Sequence, residues 1–512
     1  MSMKRLTTRK IYPSLEEFRD KAKEGNLVPV WTEVLADTET PVSAFYKVAY
    51  GREYAFLLES VEGGERLARY SFLGADPHLI FRTSGNDAQI IERGHVTSIT
   101  LEAGKRDPLH VLKEILGRYK YVPAPELPQF AGGMVGMMGY DTVRFFERLP
   151  DSNPPDEFST DDCIFLLTDA LLAFDHVKHR VLAICNASIG EGQSPDSAYY
   201  AAAAKVEGLI EKLLHGTGRP RPAVRNPAAN ALPAEEFVTN MTRDEYESGV
   251  ARAKEYIMAG DSFQIQFSRR LAKTLRADPF DVYRALRSIN PSPYMFYLVF
   301  GDVKLVGASP EILVSCADRT VTIRPIAGTR PRAGTAKEDA RLAEELLADE
   351  KERAEHVMLV DLGRNDIGRV AKFGTVRVEE LMVIEKYSHV LHIVSDVKGE
   401  LKDDLDQFDV LRASFPAGTL TGAPKVRTME IIDELEPTRR GFYGGGIGYF
   451  SFSGNMDTAI TIRTALVKGD KIVVQAAGGI VADSDPAYEF RETAAKMRGT
   501  INAIEWAERG LE

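Results

Sequence analysis

Short apolar or alternating segments separated by turn residues fill the chain from about residue 50 to residue 190. They include 54–61 (YAFLLESV), 88–101 (AQIIERGHVTSITL) with a turn at Arg93-Gly94, and 163–174 (CIFLLTDALLAF), which leads into 181–186 (VLAICN). Segments of roughly four to eight residues that are rich in β-branched and aromatic side chains are typical of antiparallel strands. The pattern therefore predicts an antiparallel sheet in this part of the chain.

A stretch without helical or strand periodicity divides this part from the next. Residues 201–215 have a helical pattern, whereas residues 216–233 (GTGRPRPAVRNPAANALP) are dominated by glycine, proline, asparagine and alanine. Such a composition is typical of a linker. We therefore divide the chain into an N-terminal region, residues 1–235, and a C-terminal region, residues 236–512.

The C-terminal region begins with a predicted helix over 242–260 and continues with a second series of strands. These strands cover 263–271 (FQIQFSRRL) and most of 294–329, with turns at Gly301-Asp302 and at 317–319. They predict a second antiparallel sheet. Because strands are followed by helices in both regions and no βαβ alternation occurs, we expect an α+β fold, a layered sandwich of antiparallel sheets flanking helices.

Two predicted helices carry paired glutamates. The first spans 336–362, and one stripe at the 3.6-residue period contains Ala348, Glu352, Glu355, Leu359 and Leu362. The second begins at Asp485-Pro486, where the aspartate caps the helix and proline takes its first position. One side of it is lined by Glu489, Glu492, Lys496, Gly499 and Ala503.

Composition limits the class of protein. The chain has 512 residues, a net charge of −11 and 44% hydrophobic residues, which is ordinary for a globular protein. The acidic balance argues against nucleic acid and anionic membranes as partners, because both require an extended basic surface. No segment approaches the ~18 apolar residues of a membrane span, and no apolar segment follows the basic residues 1–10, so we expect a cytoplasmic protein. The three cysteines match no metal or redox spacing.

The glutamate pairs are candidate metal ligands. Residues three apart on a helix share a face, so Glu352 with Glu355, and Glu489 with Glu492, each direct two carboxylates the same way. Four oxygen ligands without a histidine or cysteine pattern favour Mg²⁺, which is usually shared with an anionic substrate. The alternative is a solvated helix surface, with Lys496 as an ordinary ion-pair partner of Glu492.

Further candidates lie in glycine-bearing segments and strands. The segments 325–329, 415–425, 441–450 and 476–480 offer backbone donors to an anion, although none satisfies a standard phosphate-binding motif. On the predicted strand 458–467, Arg463 either pairs with a structural carboxylate or binds a ligand carboxylate. His392 stands among aliphatic residues, as either a core group or a catalyst, and Glu311 is a general acid if it is desolvated.

Several segments, in this order, resemble the chorismate-utilising enzymes. They are 309–314 (SPEILV), 325–334 (PIAGTRPRAG), 350–366 (EKERAEHVMLVDLGRND), 392–401 (HIVSDVKGEL), 415–425 (FPAGTLTGAPK), 445–450 (GGIGYF), 458–464 (TAITIRT) and 476–493 (AAGGIVADSDPAYEFRET). The match covers roughly residues 240–505, and 57–60 (LLES) and 69–77 (RYSFLGADP) extend it into the N-terminal region. Within the family, the whole chain is similar to component I of anthranilate synthase.

The resemblance implies a lyase that converts chorismate and ammonia into anthranilate and pyruvate. Mg²⁺, held by Glu352, Glu355, Glu489 and Glu492, would bind the ring carboxylate of chorismate. Glu311 would protonate the departing C4 hydroxyl while ammonia adds at C2, His392 would assist pyruvate elimination, and Thr419 would contact the substrate. The implied substrate-binding residues are Gly328, Thr329, Tyr443, Arg463, Gly478, Gly479 and Lys496.

Two positions distinguish the expected activity from those of other family members. Members that make aminodeoxychorismate have a lysine where this chain has Ala327, and members that use water have a lysine base where it has Gln264. Glutamine cannot serve as a base, which suits an amine nucleophile. Both positions favour anthranilate as the product.

The resemblance also implies feedback inhibition by tryptophan. The implied inhibitor site consists of Leu58, Glu59, Ser60, Asn290, Pro293, Tyr294, Met295 and Tyr449. A carboxylate and a hydroxyl suit an amino group, and apolar residues suit an indole. Because 445–450 runs from near Tyr443 to Tyr449, we expect the two sites to be coupled through that strand.

No cysteine lies in a nucleophile turn of the G-x-C-x-G type, so ammonia from glutamine requires a partner, the amidotransferase subunit known as anthranilate synthase component II. Two alternatives remain open. One is an enzyme that stops at aminodeoxyisochorismate, before pyruvate is lost. The other is a catalytically silent, tryptophan-binding regulatory protein, against which the intact Glu311, His392, Arg463 and glutamate pairs argue.

Overall fold

A computed structural model describes residues 9–60, 69–151, 158, 160–218, 236–387 and 390–511. Two large sheets dominate these residues, and every ladder between their strands is antiparallel. Most of the predicted linker, residues 219–233, lies outside the described residues.

The first sheet has 12 strands. In spatial order they are β1 (Leu27–Leu35), β10 (Arg180–Ser188), β9 (Ala170–Asp175), β3 (Tyr70–Ala75), β2 (Tyr54–Glu59), β13 (Tyr294–Phe300), β14 (Val303–Ser309), β23 (Thr464–Lys468), β24 (Lys471–Ile480), β12 (Gln264–Thr274) and β11 (Val238–Thr239), with β20 (Gly422–Ala423) also paired to β12.

The second sheet also has 12 strands. Their order is β17 (Ile326–Pro331), β19 (Val390–Glu400), β16 (Thr320–Ile323), β15 (Ile312–Ala317), β22 (Met456–Ile460), β21 (Gly446–Ser451), β7 (Gly133–Met138), β8 (Cys163–Thr168), β4 (Leu79–Ser84), β5 (Asp87–Glu92) and β6 (His95–Thr100), with β18 (Arg377–Lys386) also paired to β19.

Helices cover the sheets. They are α1 (Leu15–Lys21), α2 (Pro41–Val48), α3 (Pro108–Leu116), α4 (Pro195–His215), α5 (Arg243–Met258), α6 (Pro279–Ile289), α7 (Ala336–Ala348), α8 (Glu350–Val370), α9 (Gln407–Ser414), α10 (Gly418–Thr421), α11 (Lys425–Leu435) and α12 (Pro486–Glu508), with a 3₁₀ helix at Tyr140–Phe145. The predicted α+β sandwich is confirmed.

Strand β13 shows how the sequence produces these layers. Its residues YMFYLVF are aromatic, β-branched or otherwise large and apolar, and successive side chains of a strand point to opposite faces. Phe296 and Leu298 join a core that also contains Phe81 and Phe450 of the second sheet. Met295, Tyr297 and Val299 join a separate core with helices α2, α4, α6 and α12. The first sheet is therefore buried on both faces.

The expectation of one sheet in each region is wrong. β2 of the N-terminal region pairs with β13 of the C-terminal region in the first sheet, and β7 pairs with β21 in the second. Both sheets thus contain strands from both regions. Pairing between distant strands depends on tertiary contacts, which local hydrophobic patterns do not encode.

Two element boundaries also differ from the prediction. The predicted helix 336–362 is two helices, because the Asp349 side chain accepts hydrogen bonds from the amides of Lys351 and Glu352 and starts a new helix. The predicted strand 458–467 is broken at 461–463, because β22 belongs to the second sheet and β23 to the first. Arg463 lies at this crossing with φ of +50°, and not in mid-strand.

Candidate active site

Two neighbouring crossings between the sheets bring Glu311 and Arg463 together. Glu311 lies between β14 of the first sheet and β15 of the second, and Arg463 lies between β22 and β23. The amide of Ile460 donates to the Glu311 carbonyl (3.0 Å), and the amide of Ala308 donates to the Arg463 carbonyl (3.2 Å). These backbone bonds hold the two crossings side by side.

A cavity of about 200 Å³ opens at these crossings. Its polar lining combines acids, cations and hydroxyl groups with a histidine and two glutamines: Glu311, Glu355, Arg463, Lys496, Thr329, Thr419, Tyr443, His392, Gln266 and Gln475. Ala327 lies among its apolar residues. When Gln264 is counted with the residues predicted to be catalytic or substrate-binding, seven of these eleven line one cavity.

Glu311 is a buried carboxyl group in the lining of this cavity. Its side chain is buried, and burial raises its pKa to about 8, although the nearby Thr419 hydroxyl acts in the opposite direction. A carboxyl with this pKa is protonated at neutral pH and can donate a proton. Thr419 Oγ1 is itself buried, and the Glu311 carboxyl is the polar group close to it.

His392 is a neutral base facing the same space. Its Nδ1 lies 2.9 Å from the Gly328 carbonyl, which can only accept, so Nδ1 carries the proton and Nε2 has a free lone pair. Burial lowers the pKa of His392, and the charge of Arg463 adds to this effect. Position 328 requires glycine, because its φ is +62° and an added Cβ would lie 3.0 Å from Leu346 Cδ1.

Positively charged groups line the same cavity. Arg463 Nη1 donates to the carbonyl of Lys496 (2.8 Å), and burial lowers the pKa of Arg463. Lys496 Nζ is 2.8 Å from Glu492 Oε1 and 2.9 Å from the Ala477 carbonyl. Burial raises the pKa of Tyr443 to about 12, so its hydroxyl remains a donor. Two cations and a phenol are suited to binding carboxylates.

The two glutamate pairs are engaged by protein groups. Glu352 forms an ion pair with Arg330 (3.0 Å), whereas Glu355 accepts a hydrogen bond from Gln264 Nε2 (2.8 Å). Burial raises the pKa of Glu355, and the charges of Glu352 and Glu492 add to this effect. Gln264 thus orients a predicted metal ligand from outside the cavity lining.

The second pair lies on α12. Glu489 accepts a hydrogen bond from Ser484 Oγ (2.7 Å), but its Oε2 atom is buried without a partner among the described residues. Burial and the closeness of Glu492 raise the pKa of Glu489. Burial also favours neutral Glu492, but Lys496, the hydrogen bond with Glu489 and the charge of Arg463 together lower the Glu492 pKa. The backbone of β24 is close, since a Cβ at Gly478 would lie 2.9 Å from Glu489 Oε2.

A larger cavity, of about 550 Å³, lies between the sheets. Seven of the eight predicted inhibitor-site residues line it: Leu58, Glu59, Ser60, Pro293, Tyr294, Met295 and Tyr449. Asn290 does not; it caps the C-terminus of α6. Glu59 is not a free carboxylate, because Arg287 Nε lies 3.0 Å from its Oε2 atom and the Tyr283 hydroxyl donates to it.

Comparisons with known proteins identify the family of this chain. The sequence model of the chorismate binding enzyme family matches residues 55–502. Anthranilate synthase component 1 of Acetivibrio thermocellus is 46% identical over 499 residues, which cover 97% of this chain and 99% of that protein. The component 1 of Pseudomonas putida is 48% identical over 497 residues, covering 96% and 98%. The chain belongs to the anthranilate synthase component 1 family.

A solved structure of this family has the same fold. The crystal structure of anthranilate synthase component I from Streptococcus pneumoniae TIGR4 matches with a TM-score of 0.74 and 36% identity, and covers 91% of this chain and 98% of that one. No helix in the described part of the chain is long and apolar enough to cross a membrane.

The glutamates fit a divalent cation without forming a finished site. Across the described ranges, no three His, Cys, Asp or Glu side chains already surround one point. Lys496 balances only part of the negative charge of Glu355, Glu489 and Glu492, and the Glu489 Oε2 atom lacks a partner. An oxygen-coordinated cation such as Mg²⁺ would neutralise that excess, and Glu352 could join after leaving Arg330.

Sequence reasoning missed several residues of both cavities. Gln266 and Gln475 line the smaller cavity, and Gln475 Oε1 is buried without a described partner. The period of two along β12 places Gln266 on the same face as Gln264, so the sequence could have predicted that Gln266 lies near the site. Asp457 lines the larger cavity beside Tyr294, and burial raises its pKa to about 7. No local pattern distinguished Asp457.

Proposed function

We propose that this protein is the aminase component of anthranilate synthase, which converts chorismate and ammonia into anthranilate and pyruvate in tryptophan biosynthesis. The observation that carries the proposal is the smaller cavity, where the buried acid Glu311 and the neutral His392 share one space with Arg463 and Lys496. A dicarboxylate substrate with a poor leaving group requires this combination of cations, acid and base.

In the first step, Glu311 assists loss of the C4 hydroxyl. The carboxyl donates its proton to the hydroxyl oxygen as the C–O bond breaks, and water leaves. Ammonia adds at C2 with its lone pair, and the ammonium formed there loses a proton. The pKa of about 8 for Glu311 supports this role, because an ordinary glutamate would be ionised at neutral pH.

In the second step, His392 assists loss of pyruvate. Its Nε2 lone pair takes the proton from C2, the bond to the enolpyruvyl oxygen breaks, and the ring becomes aromatic. The departing enolpyruvate gains a proton and becomes pyruvate. The hydrogen bond from Nδ1 to the Gly328 carbonyl fixes the tautomer that leaves Nε2 free for this role.

The substrate carboxylates are bound by Arg463, Lys496, Tyr443, Gly478 and Gly479. Gly328 and Thr329 shape the pocket around the ring, and Thr419 contacts the substrate. Glu352, Glu355, Glu489 and Glu492 hold Mg²⁺. When bound, the metal supplies positive charge that neutralises the ring carboxylate. Gln264 keeps Glu355 in place by its hydrogen bond of 2.8 Å. Because glutamine cannot act as a base, it does not activate water to compete with ammonia for addition at C2.

Ammonia comes from glutamine through a separate amidotransferase subunit, anthranilate synthase component II. The relatives are named component 1, which supports a second component. Tryptophan binds in the larger cavity, where Tyr294, Met295 and Pro293 surround the indole and Ser60 contacts the amino group. Strand β21 supports coupling, because Tyr449 lines the larger cavity and Tyr443 precedes the same strand in the smaller one.

The test is an assay with purified protein, chorismate, Mg²⁺ and ammonium salt at alkaline pH, followed by anthranilate fluorescence. We expect fluorescence that requires Mg²⁺ and decreases when tryptophan is added. A nonfluorescent aminated product would instead identify an enzyme that stops at aminodeoxyisochorismate. Absence of any product would contradict the proposal.

Ser60→Ala tests the inhibitor site separately. We expect this variant to retain ammonia-dependent activity and to lose tryptophan inhibition. Unchanged inhibition in the variant would show that the larger cavity is not where tryptophan acts through Ser60.

A further inference from the structure

A second, much smaller space adjoins the substrate cavity at Glu311. It has a volume of about 30 Å³, and Glu311 and Thr419 line both this chamber and the substrate cavity. Its walls come from three directions: β15 and β16 of the second sheet, helix α8, and the segment that joins α9 to α10. The buried acid therefore separates the reacting space from an internal chamber.

The chamber is suited to water. A water molecule needs roughly 10–15 Å³ of such volume, so about 30 Å³ holds two waters. Most of its wall is aliphatic, including Leu313, Ile323 and Leu362. Polar groups stand among them, since Glu311, Thr419 and Asp366 line the chamber. Thr419 Oγ1 is buried, and the Glu311 carboxyl is the polar group close to it. Ordered water would give these three groups further hydrogen bonds and connect them.

Asp366 connects the chamber to a buried cation. Its Oδ2 atom lies 2.9 Å from Lys425 Nζ, which also donates to the carbonyl of Ser414 (3.2 Å). Asp366 is 5% exposed, and burial raises its pKa despite the charges of Lys425 and Arg369. The Lys425 side chain is 15% exposed, so the pair reaches toward solvent from a buried position.

We propose that water in the chamber links Glu311 to Asp366, and that the Asp366–Lys425 pair is the route by which Glu311 regains its proton in each turnover. This inference rests on the proposed function, in which Glu311 is the general acid. Asp366 touches no substrate and acts only through Glu311.

The proton balance follows from the amination step. Glu311 gives one proton to the departing hydroxyl, which leaves as water, and the new ammonium group at C2 releases one proton. Glu311 takes a proton from a chamber water, and that water takes one from Asp366 as the Asp366 carboxylate accepts a proton from the Lys425 ammonium. Lys425 is then reprotonated from solvent. One proton enters through the pair for each proton released from the amine, so no other reactant is required.

A separate route is needed because the substrate occupies the main cavity. Glu311 is only 8% exposed, and it lines both the substrate cavity and the chamber. With a ring and two carboxylates bound, solvent would be excluded from the substrate side of Glu311. The chamber offers the acid a proton donor that does not pass through the bound substrate.

Two variants test the route by different means. Asp366→Asn removes the group that transfers the proton. Gly363→Ala adds a methyl group on helix α8, 3.3 Å from Ile323 Cγ2 and 3.7 Å from Pro325 Cγ. All three residues line the chamber, so the methyl group reduces the chamber's volume. The control is Gly368→Ala on the same helix, where an added Cβ meets nothing within 4 Å. Both alanines favour the helix equally.

We expect kcat for ammonia-dependent anthranilate formation to fall by about tenfold or more in Asp366→Asn and in Gly363→Ala, with the KM for chorismate unchanged. The solvent deuterium isotope effect on kcat should increase in both variants, because reprotonation becomes rate-limiting. Gly368→Ala should behave as the unsubstituted protein.

The outcomes separate this inference from the proposed function. An unsubstituted protein that forms no anthranilate would overturn both. An active protein whose Gly363→Ala variant is folded and keeps kcat and its isotope effect would overturn the chamber route alone. If Asp366→Asn fails to fold, Gly363→Ala decides the question.

Discussion

At the scale of single residues, burial sets the chemistry of Glu311. The side chain of a glutamate on the protein surface is ionised at neutral pH, and nothing in the segment SPEILV predicts otherwise. The structure places this side chain where two sheet crossings meet and water is largely excluded, so its pKa rises to about 8. The sequence supplied the carboxyl group, and desolvation makes it an acid.

Replacing Glu311 with glutamine should remove the general acid while keeping the shape of the side chain. We expect kcat to fall by about 10²–10⁴-fold, which is the usual contribution of a positioned acid. Anthranilate formation under saturating chorismate and ammonia measures it. The dissociation constant for chorismate, measured by calorimetry, should be unchanged. A kcat close to that of the unsubstituted protein would rule out Glu311 as the acid.

The pH dependence should have a limb set by Glu311. The acid functions when protonated, and its raised pKa keeps it protonated below about pH 8, so the rate should fall as pH increases through about 8. The measurement is kcat against pH at a constant concentration of unprotonated ammonia. This limb should be absent from the residual activity of Glu311→Gln. A rate that keeps rising well above pH 8 would contradict the assignment.

Glu489 should determine the metal requirement. Its Oε2 atom has no described partner, and the glutamine variant removes the charge that a cation would meet. We expect the Mg²⁺ concentration for half-maximal activity to rise at least about tenfold in Glu489→Gln. Glu505→Gln, an exposed position on the same helix, is the matched control and should leave the Mg²⁺ titration unchanged. Equal titrations in both variants would exclude Glu489 as a ligand.

At the scale of elements, local sequence signals located the helices that carry the site. The Asp485 side chain accepts a hydrogen bond from the Tyr488 amide (2.7 Å), and proline follows it, as the sequence predicted. The sequence did not predict the break at Asp349 or the crossing at Arg463. Asp349 was missed because the helical stripe continues through it. The crossing at Arg463 was missed because the alternating pattern of a strand continues through it, although the segments before and after it pair in different sheets.

Removing the cap of α12 should therefore affect the metal site. Asp485→Ala is expected to cost about 1 kcal/mol of stability and to loosen the turn that carries Glu489. The Mg²⁺ titration should shift to higher concentration. Ser194→Ala removes the comparable cap of α4, which carries none of the proposed ligands, and should lower the thermal midpoint without changing the Mg²⁺ titration. Similar Mg²⁺ titrations for both variants would show that the cap of α12 does not influence metal binding.

At the scale of the whole molecule, the two regions predicted from the linker share both sheets. The β2–β13 ladder joins them in the first sheet, the β7–β21 ladder joins them in the second, and Glu59 pairs with Arg287 across the same boundary. A C-terminal fragment would expose the edges of β13 and β21, which are buried in the intact sheets. The boundary near residue 235 is therefore visible in the sequence but does not separate two independent sheets in the fold.

Expressed alone, residues 236–512 should not form a stable, active protein, because each sheet loses about half of its strands. Circular dichroism and a cooperative thermal transition test this directly. Coexpression with residues 1–235 should restore both the transition and ammonia-dependent activity. A fragment that folds cooperatively by itself would establish the C-terminal region as an independent domain.

The sequence by itself determined the kinds of chemistry available and the local structure that carries them. The strands, the helix caps and the spacing of the glutamate pairs follow from preferences of neighbouring residues, which a linear pattern records. Only the tertiary structure decided which strands share a sheet, that Arg463 stands at a crossing, and that Glu311 is desolvated beside an internal chamber. Those properties depend on contacts between residues far apart in the chain, and burial by distant residues leaves no local pattern.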